Sequence, residues 1–334
     1  MGFRSNLKTV LNKLFSKVGF ELVPRVYVYD WQKDSRRYDP SETIIQEGAR
    51  QHLIPENPGL ISLQERYKNS EYPEKEEALW TDDRIKAEDI LYFRGHNAFL
   101  YQDGRFNRNI IGYLLSYFYI KSIDDRSLLD HLVEDDSFGA IAYDIDGNIV
   151  TRDLLDSILE IYFLDRHLNL FQKPEFNVLD IGAGYGRLAY RMAQAFSNLG
   201  TYLCADAIAV SSFIADYYLG FRGISDKARI VPLDTIRENL KKHSLDLAVN
   251  VHSFSECSIT AIDWWMGLVA ENRIPYLFIV PNSKDDLLTL NRESFSYLVE
   301  KHGYELLARE PRYSDPMIQK YALNPDYLHL YQLK

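Results

Sequence analysis

From Thr151 onward, short apolar runs alternate with helical periodicity. Thr151 can cap a helix, Asp153 falls in its first turn, and Leu154, Leu155, Ile158, Leu159, Tyr162 and Phe163 supply the apolar face. Apolar runs at 177–181, 202–205, 229–231, 247–251 and 276–280 then sit between helical stretches. Strands spaced in this way predict a parallel sheet covered on both faces. Two further runs, 304–308 and 327–333, lack an obvious long helix between them and are expected to pair antiparallel at the end of the sheet. The fold class is therefore α/β, mostly parallel, with an antiparallel last strand.

The chain before Thr151 is patterned differently. Residues 31–77 are rich in charge, Pro and Gly and predict loops and short helices, whereas 109–120 reads as a helix with a strongly apolar face. The stretch Tyr143-Asp144-Ile145-Asp146-Gly147-Asn148 predicts a turn between extended segments. Its two aspartates suggest a calcium loop, but the glycine stands fourth rather than sixth and no glutamate closes twelve residues. Within 1–30, Leu7, Val10, Leu11, Leu14, Phe15 and Val18 recur at helical spacing, and Arg4, Lys8, Lys13 and Lys17 fill the rest of the wheel. Such a helix docks on the body or a partner subunit; the competing reading is contact with a membrane surface. Three regions result: an amphipathic helix in 1–30, a helical and loop region in 31–150 that caps the substrate site, and an α/β domain in 151–334.

Composition narrows the function classes. The 334 residues suit two domains, or one with an extension. At 46% hydrophobic and 26% charged the chain is ordinary globular protein. The net charge of −10 argues against a partner read through phosphates, so no nucleic acid is expected. Cys204 and Cys257, the two cysteines, cannot build a disulfide framework or a cysteine-rich zinc site, which fits a reducing compartment. With no apolar run of 18 residues and no signal-peptide pattern, the expected location is the cytoplasm.

The most informative motif is Val178-Leu179-Asp180-Ile181-Gly182-Ala183-Gly184-Tyr185-Gly186-Arg187-Leu188. An apolar strand runs into a glycine turn, and a helical pattern follows. Glycine lets a ligand approach the backbone, and the helix start presents unpaired N–H groups. The dinucleotide pattern Gly-x-Gly-x-x-Gly fails, because Arg187 stands where the last glycine belongs. Gly-x-Gly-x-Gly after an Asp-bearing strand instead resembles the first motif of class I S-adenosylmethionine (SAM)-dependent methyltransferases. The resemblance implies a Rossmann-like methyltransferase sheet, SAM as cofactor, and a cradle for its methionine and ribose parts made by Gly182, Ala183, Gly184 and Gly186. Asp206, followed by Ala207 at the tip of the next strand, suits the ribose hydroxyls; the alternative is a helix cap or a solvated acid. Asp234 fits a reader of the adenine amine, or a cap on the helix after it. Asp180 orients the turn or the cofactor's ammonium, or acts as a structural partner of the turn.

The second segment, Asn250-Val251-His252-Ser253-Phe254-Ser255-Glu256-Cys257, follows the fourth strand of the α/β region, at the end where open sheets bind ligands. Asn250 falls on the cofactor side and Ser253 on the substrate side. His252 has the titration range of a general base at neutral pH, or it is a hydrogen-bonded structural histidine. Glu256 orients His252, binds substrate hydroxyls or caps a helix; Cys257 is expected to pack. Together with Tyr92-Phe93-Arg94-Gly95-His96-Asn97-Ala98 and Arg152-Asp153-Leu154-Leu155-Asp156-Ser157, the segment resembles the sugar O-methyltransferase family over about 78–334. That likeness implies in-line methyl transfer to a hydroxyl of a sugar or sugar-bearing metabolite, His252 as base and Glu256 as orienter or hydroxyl ligand. Arg94, His96 and Asn97 would fold over the substrate, with Arg94 facing a phosphate or carboxylate or else forming an internal salt bridge. Arg152 and Asp153 read as capping and ion pairing, and no metal cluster is expected. A methyltransferase of another acceptor (natural product, nucleoside or peptide) and a non-catalytic cofactor-binding scaffold are the competing readings. A homo-oligomer is compatible with all of them.

Overall fold

The computed structural model describes residues 11, 15, 17, 35–37, 43, 45–73, 85–95, 110–282, 286–289 and 291–334. The amphipathic segment in 1–30 lies outside them except for Leu11 and Phe15, both helical, and Lys17. Among the described residues no helix is long and apolar enough to cross a membrane.

Three short strands, β1 (Ser35–Arg37), β2 (Ala142–Ile145) and β3 (Asn148–Thr151), pair antiparallel. The 143–148 turn is thus a hairpin, with Asp146 (φ 57°) and Gly147 (φ 81°) as left-handed turn residues. Asp146 forms an ion pair with Lys121. β1 corrects the expectation of only loops and short helices in 31–77; three residues are too few to show a period of two. Helix α1 (Pro58–Lys68) starts on Asn57, whose side chain accepts from Gly59 N at 2.8 Å, with Pro58 at the first helical position. Helix α2 (Ile110–Lys121) is buried almost all round. It packs beside α3 (Arg152–Leu168), which Thr151 caps by accepting from Leu154 N at 3.1 Å.

The main sheet comprises β4 (Phe176–Ile181), β5 (Leu199–Ala205), β6 (Ala228–Ile230), β7 (Leu247–Val251), β8 (Tyr276–Val280), β9 (Tyr304–Pro311) and β10 (Tyr327–Leu333). Their order is β6-β5-β4-β7-β8-β10-β9. The first five are parallel, and β10 runs antiparallel to both β8 and β9. Helices α4 (Arg187–Ala195), α5 (Ala209–Phe221) and α6 (Ile259–Glu271) join the parallel strands. The result is a Rossmann-like α/β fold. Its chain starts at the centre with β4, walks outward to β6, then returns to the other side of β4 as β7. That reversal opens a crevice at the carboxyl ends of β4 and β7. β9 extends three residues past the run read from sequence; its register skips Leu307, and Leu306 and Leu307 stay about half exposed, which blurs the alternation.

Ion pairs tie the earlier residues to this sheet. Glu134 is buried between Arg94 and Arg191, each at 2.6 Å, and accepts from the Thr151 hydroxyl. Asp135 takes Arg94 at 2.8 Å and Arg222 at 2.6 Å. The Arg191 and Arg222 guanidinium groups each lie 4.7 Å from the centre of the Tyr190 ring.

Candidate functional site at the carboxyl ends of β4, β5 and β7

The glycine turn is built by left-handed backbone at Gly182 (φ 73°), Gly184 (φ 58°) and Gly186 (φ 85°), a conformation that disfavours any side chain. Gly182 N and Ala183 N both donate to Ala205 O, at 2.8 and 3.2 Å, so the turn is stitched to the end of β5. Gly184 N donates to Asp206 Oδ2 at 3.1 Å, while Ile208 N donates to Oδ1 at 2.9 Å. Asp206 thus joins the turn to the start of α5, and Ala207 beside it is half-buried. Burial pushes the Asp206 carboxyl up to about 6, against the opposing pull of the Ile208 and Gly184 N–H groups. Asp180, one strand residue before the turn, accepts from Tyr202 Oη at 2.8 Å; burial pushes it up to about 7.

Asp234 caps no helix. Arg66 of α1 holds it in a two-pronged pair, Nε to Oδ2 and Nη2 to Oδ1, both at 2.9 Å. Helix α1 is anchored by buried Leu60, Leu63 and Tyr67, and Tyr67 Oη hydrogen-bonds Ser212 Oγ at 2.7 Å. The Tyr67 phenol lies in the fields of Asp206 and Asp234 alike, and burial above all holds its pKa far above the usual value. Arg66 and Tyr67 were invisible to sequence reading, because only packing brings α1 against α5 and the turn at 233–235.

At the end of β7 the cofactor role expected for Asn250 is corrected. Its side chain is fully buried, its Nδ2 donates to Ile181 O at 2.8 Å, and its Oδ1 accepts from Phe254 N at 2.9 Å. Asn250 therefore locks the β4 and β7 ends together and stands behind the site rather than in it. His252 has φ 68°, and its N–H donates to Val280 O at 2.7 Å. Its Nε2 lies 3.9 Å from Asp326 Oδ2. Burial first, and then Arg312, Arg152 and Arg187, hold the imidazole well below the ordinary histidine range. Ser253 lies against Gly182. Glu256 Oε1 accepts from Asn282 Nδ2 at 3.3 Å, while the cap of α6 is Ser258, not Glu256. Cys257 is half-buried beside the core.

Behind His252 is a charged group assembled from distant segments. Arg312, with no side-chain exposure, lies 3.5 Å from both Asp156 and Glu160 and 3.6 Å from Asp326. Arg187, from the glycine motif, pairs with Glu160 at 2.9 Å and Ser157 Oγ at 2.7 Å. Arg152 lies within 3.6 Å of Asp153 and Asp156, and Asp153 accepts from the Tyr185 hydroxyl. Arg312 and Asp326 flank β9 and β10, and no spacing in the sequence marks them. Arg94 takes its alternative reading: its side chain is wholly buried and paired with Glu134 and Asp135, so it does not face substrate. His96 and Asn97 lie outside the described residues.

No family model matches the sequence, and no curated protein does. Solved structures are similar at low identity. An O-methyltransferase family protein from Burkholderia thailandensis is 14% identical, with 55% of this chain and 59% of that one covered and a TM-score of 0.40. Magnesium protoporphyrin IX methyltransferase from Synechocystis PCC 6803, solved with bound SAM, is 10% identical over 55% of this chain and 83% of that one, with a TM-score of 0.39. A protein of the NADB-Rossmann superfamily from Streptococcus agalactiae is 12% identical over 51% and 67%, with a TM-score of 0.38.

Proposed function

We propose that this chain is a SAM-dependent O-methyltransferase that acts on a hydroxyl of a sugar or sugar-bearing metabolite. The observation that carries the cofactor assignment is the pairing of Gly184 N with Asp206 at the reversal point of the sheet. Three left-handed glycines leave the turn backbone bare, and a carboxylate stands at the adjoining strand tip, which fits the methionine and ribose parts of SAM. Asp206 accepts from the backbone N–H groups of Gly184, Ile208 and Ala207 and from the Ser211 hydroxyl, which fix its carboxylate at the strand tip where ribose hydroxyls would reach it. Asp234 would accept from the adenine amine, and Asp180 would sit behind the turn near the ammonium group.

When bound, SAM supplies a methyl group already activated on sulfur. The protein's part is alignment, exclusion of water and removal of the acceptor proton. His252 is the candidate base: its imidazole, held below its usual range, is in the neutral form at pH 7, and Asp326, 3.9 Å from Nε2, would offset the burial and arginine charges that oppose protonation. Glu256, tethered by Asn282, would bind or orient the acceptor hydroxyls with Ser253. Residues 31–150 would form the cap over the acceptor, with His96 and Asn97 contributing and Arg94 serving as its internal brace.

Two measurements test this reading. Calorimetry of the full chain with SAM and S-adenosylhomocysteine should show binding that Asp206→Ala weakens at least tenfold; failure of the wild type to bind either would overturn it. Mass spectrometry across sugars, nucleotide sugars and glycosylated metabolites should find a product heavier by one methylene. Methylation of non-glycosylated acceptors alone would remove the sugar assignment.

A further inference from the structure

We infer that Arg66 of α1 is a positioning residue for purine recognition: its fork fixes the Asp234 carboxylate in the orientation that accepts from the cofactor's exocyclic amine. This rests on the cofactor reading above. The two residues stand 168 positions apart in sequence, and no spacing rule joins them. Both hydrogen bonds are 2.9 Å and engage both carboxylate oxygens, which sets the plane of the group as a single contact would not.

The base of Arg66 is itself fixed. Asn57 caps α1, Leu60 and Leu63 are buried, and the next residue, Tyr67, is held to Ser212 inside the protein. The pair is partly open, with 42% of the Arg66 side chain and 25% of the Asp234 side chain exposed. Such a pair does little for stability. Its value lies in geometry: a carboxylate on a short turn between β6 and the next helix would otherwise sample several rotamers. Each oxygen spends one acceptor direction on Arg66 and keeps another. Asp206 follows β5 and Asp234 follows β6, and these strands are parallel neighbours, so the two carboxylates stand at adjacent strand ends. A ribose held at Asp206 would have its base within reach of that neighbouring end.

The test compares two probes by calorimetry: S-adenosylhomocysteine, and the same molecule with its purine amine replaced by oxygen, S-inosylhomocysteine. Wild type should prefer the amine roughly tenfold or more, the usual worth of a hydrogen bond to a charged group. Asp234→Ala should bring the ratio near one. Arg66→Ala should lower it several-fold, and Arg66→Lys, with one donor group in place of a fork, should fall between. The melting temperature of Arg66→Ala should stay within about 2 °C of wild type, as for other surface pairs. An unchanged ratio in Arg66→Ala overturns the inference, as does an unchanged ratio in Asp234→Ala. If wild type binds neither probe, the cofactor reading itself fails and takes this inference with it.

Discussion

Ser253 occupies the space that a side chain at position 182 would need. A Cβ built on Gly182 would fall 2.2 Å from both Cβ and Oγ of Ser253, in a backbone already at φ 73°. The two strand ends that frame the crevice are thus in direct contact through one missing side chain. Gly182→Ala should destabilise the protein by about 2 kcal/mol or more, from left-handed strain and overpacking together. Adding Ser253→Gly should recover part of the loss but not the strain. Denaturation midpoints of the two variants check this; no recovery in the double variant would mean that the clash is not with Ser253.

Asp180 makes a prediction in pH. Its carboxyl is raised from 3.8 to about 7, so the folded protein binds this proton more tightly than the unfolded chain does. Ionising it in the folded state therefore costs stability. The cost is absent below about pH 4, grows through the window up to about 7, and is complete above it. Asp180→Asn keeps an acceptor for Tyr202 and removes the charge. It should stabilise the protein on the order of 2–4 kcal/mol more at pH 8 than at pH 4. An equal effect at both pH values would show that the buried carboxyl is not shifted.

Glu134 is the reverse case. Arg191 and Arg94 overcome the burial penalty and hold its pKa below the ordinary range. Its contribution is therefore present above the unfolded pKa and lost as pH falls toward the folded value. Glu134→Gln leaves two buried guanidinium groups facing a neutral amide and should cost about 3–5 kcal/mol. Thermal unfolding at pH 7 gives the measurement, and a shift of less than 2 °C would contradict it.

His252 links structure to rate. With an acceptor found by the mass-spectrometric screen, His252→Ala should lower methyl transfer by roughly 10² to 10⁴ while leaving SAM affinity within about twofold. Because the imidazole is held below its usual range, the wild-type rate should stay level through pH 6.5, where an ordinary histidine would lose half its base form. A midpoint near 6.5 would show that the arginines behind it do not set its proton affinity.

Much of the sheet was legible because buried parallel strands are short apolar runs, and 247–251 and 276–280 coincide with β7 and β8. The glycine turn was legible too, since Gly182, Gly184 and Gly186 each need a backbone that other residues resist. Asn250 misled for a physical reason: polar residues at a strand end mark a site only if their side chains point outward, and Asn250 turns inward to Ile181 and Phe254. Arg66, Arg312 and Asp326 escaped because their meaning comes from partners that lie far away in the chain.

The placement of β10 between β8 and β9 has a consequence for biosynthesis. Synthesis delivers β9 first, yet its neighbour in the sheet is the strand that follows it. Until β10 leaves the ribosome, Leu306 and Leu307 belong to a strand with no backbone partner beside it. Such a nascent chain is open to pairing with another of its kind until β10 arrives to cover the strand.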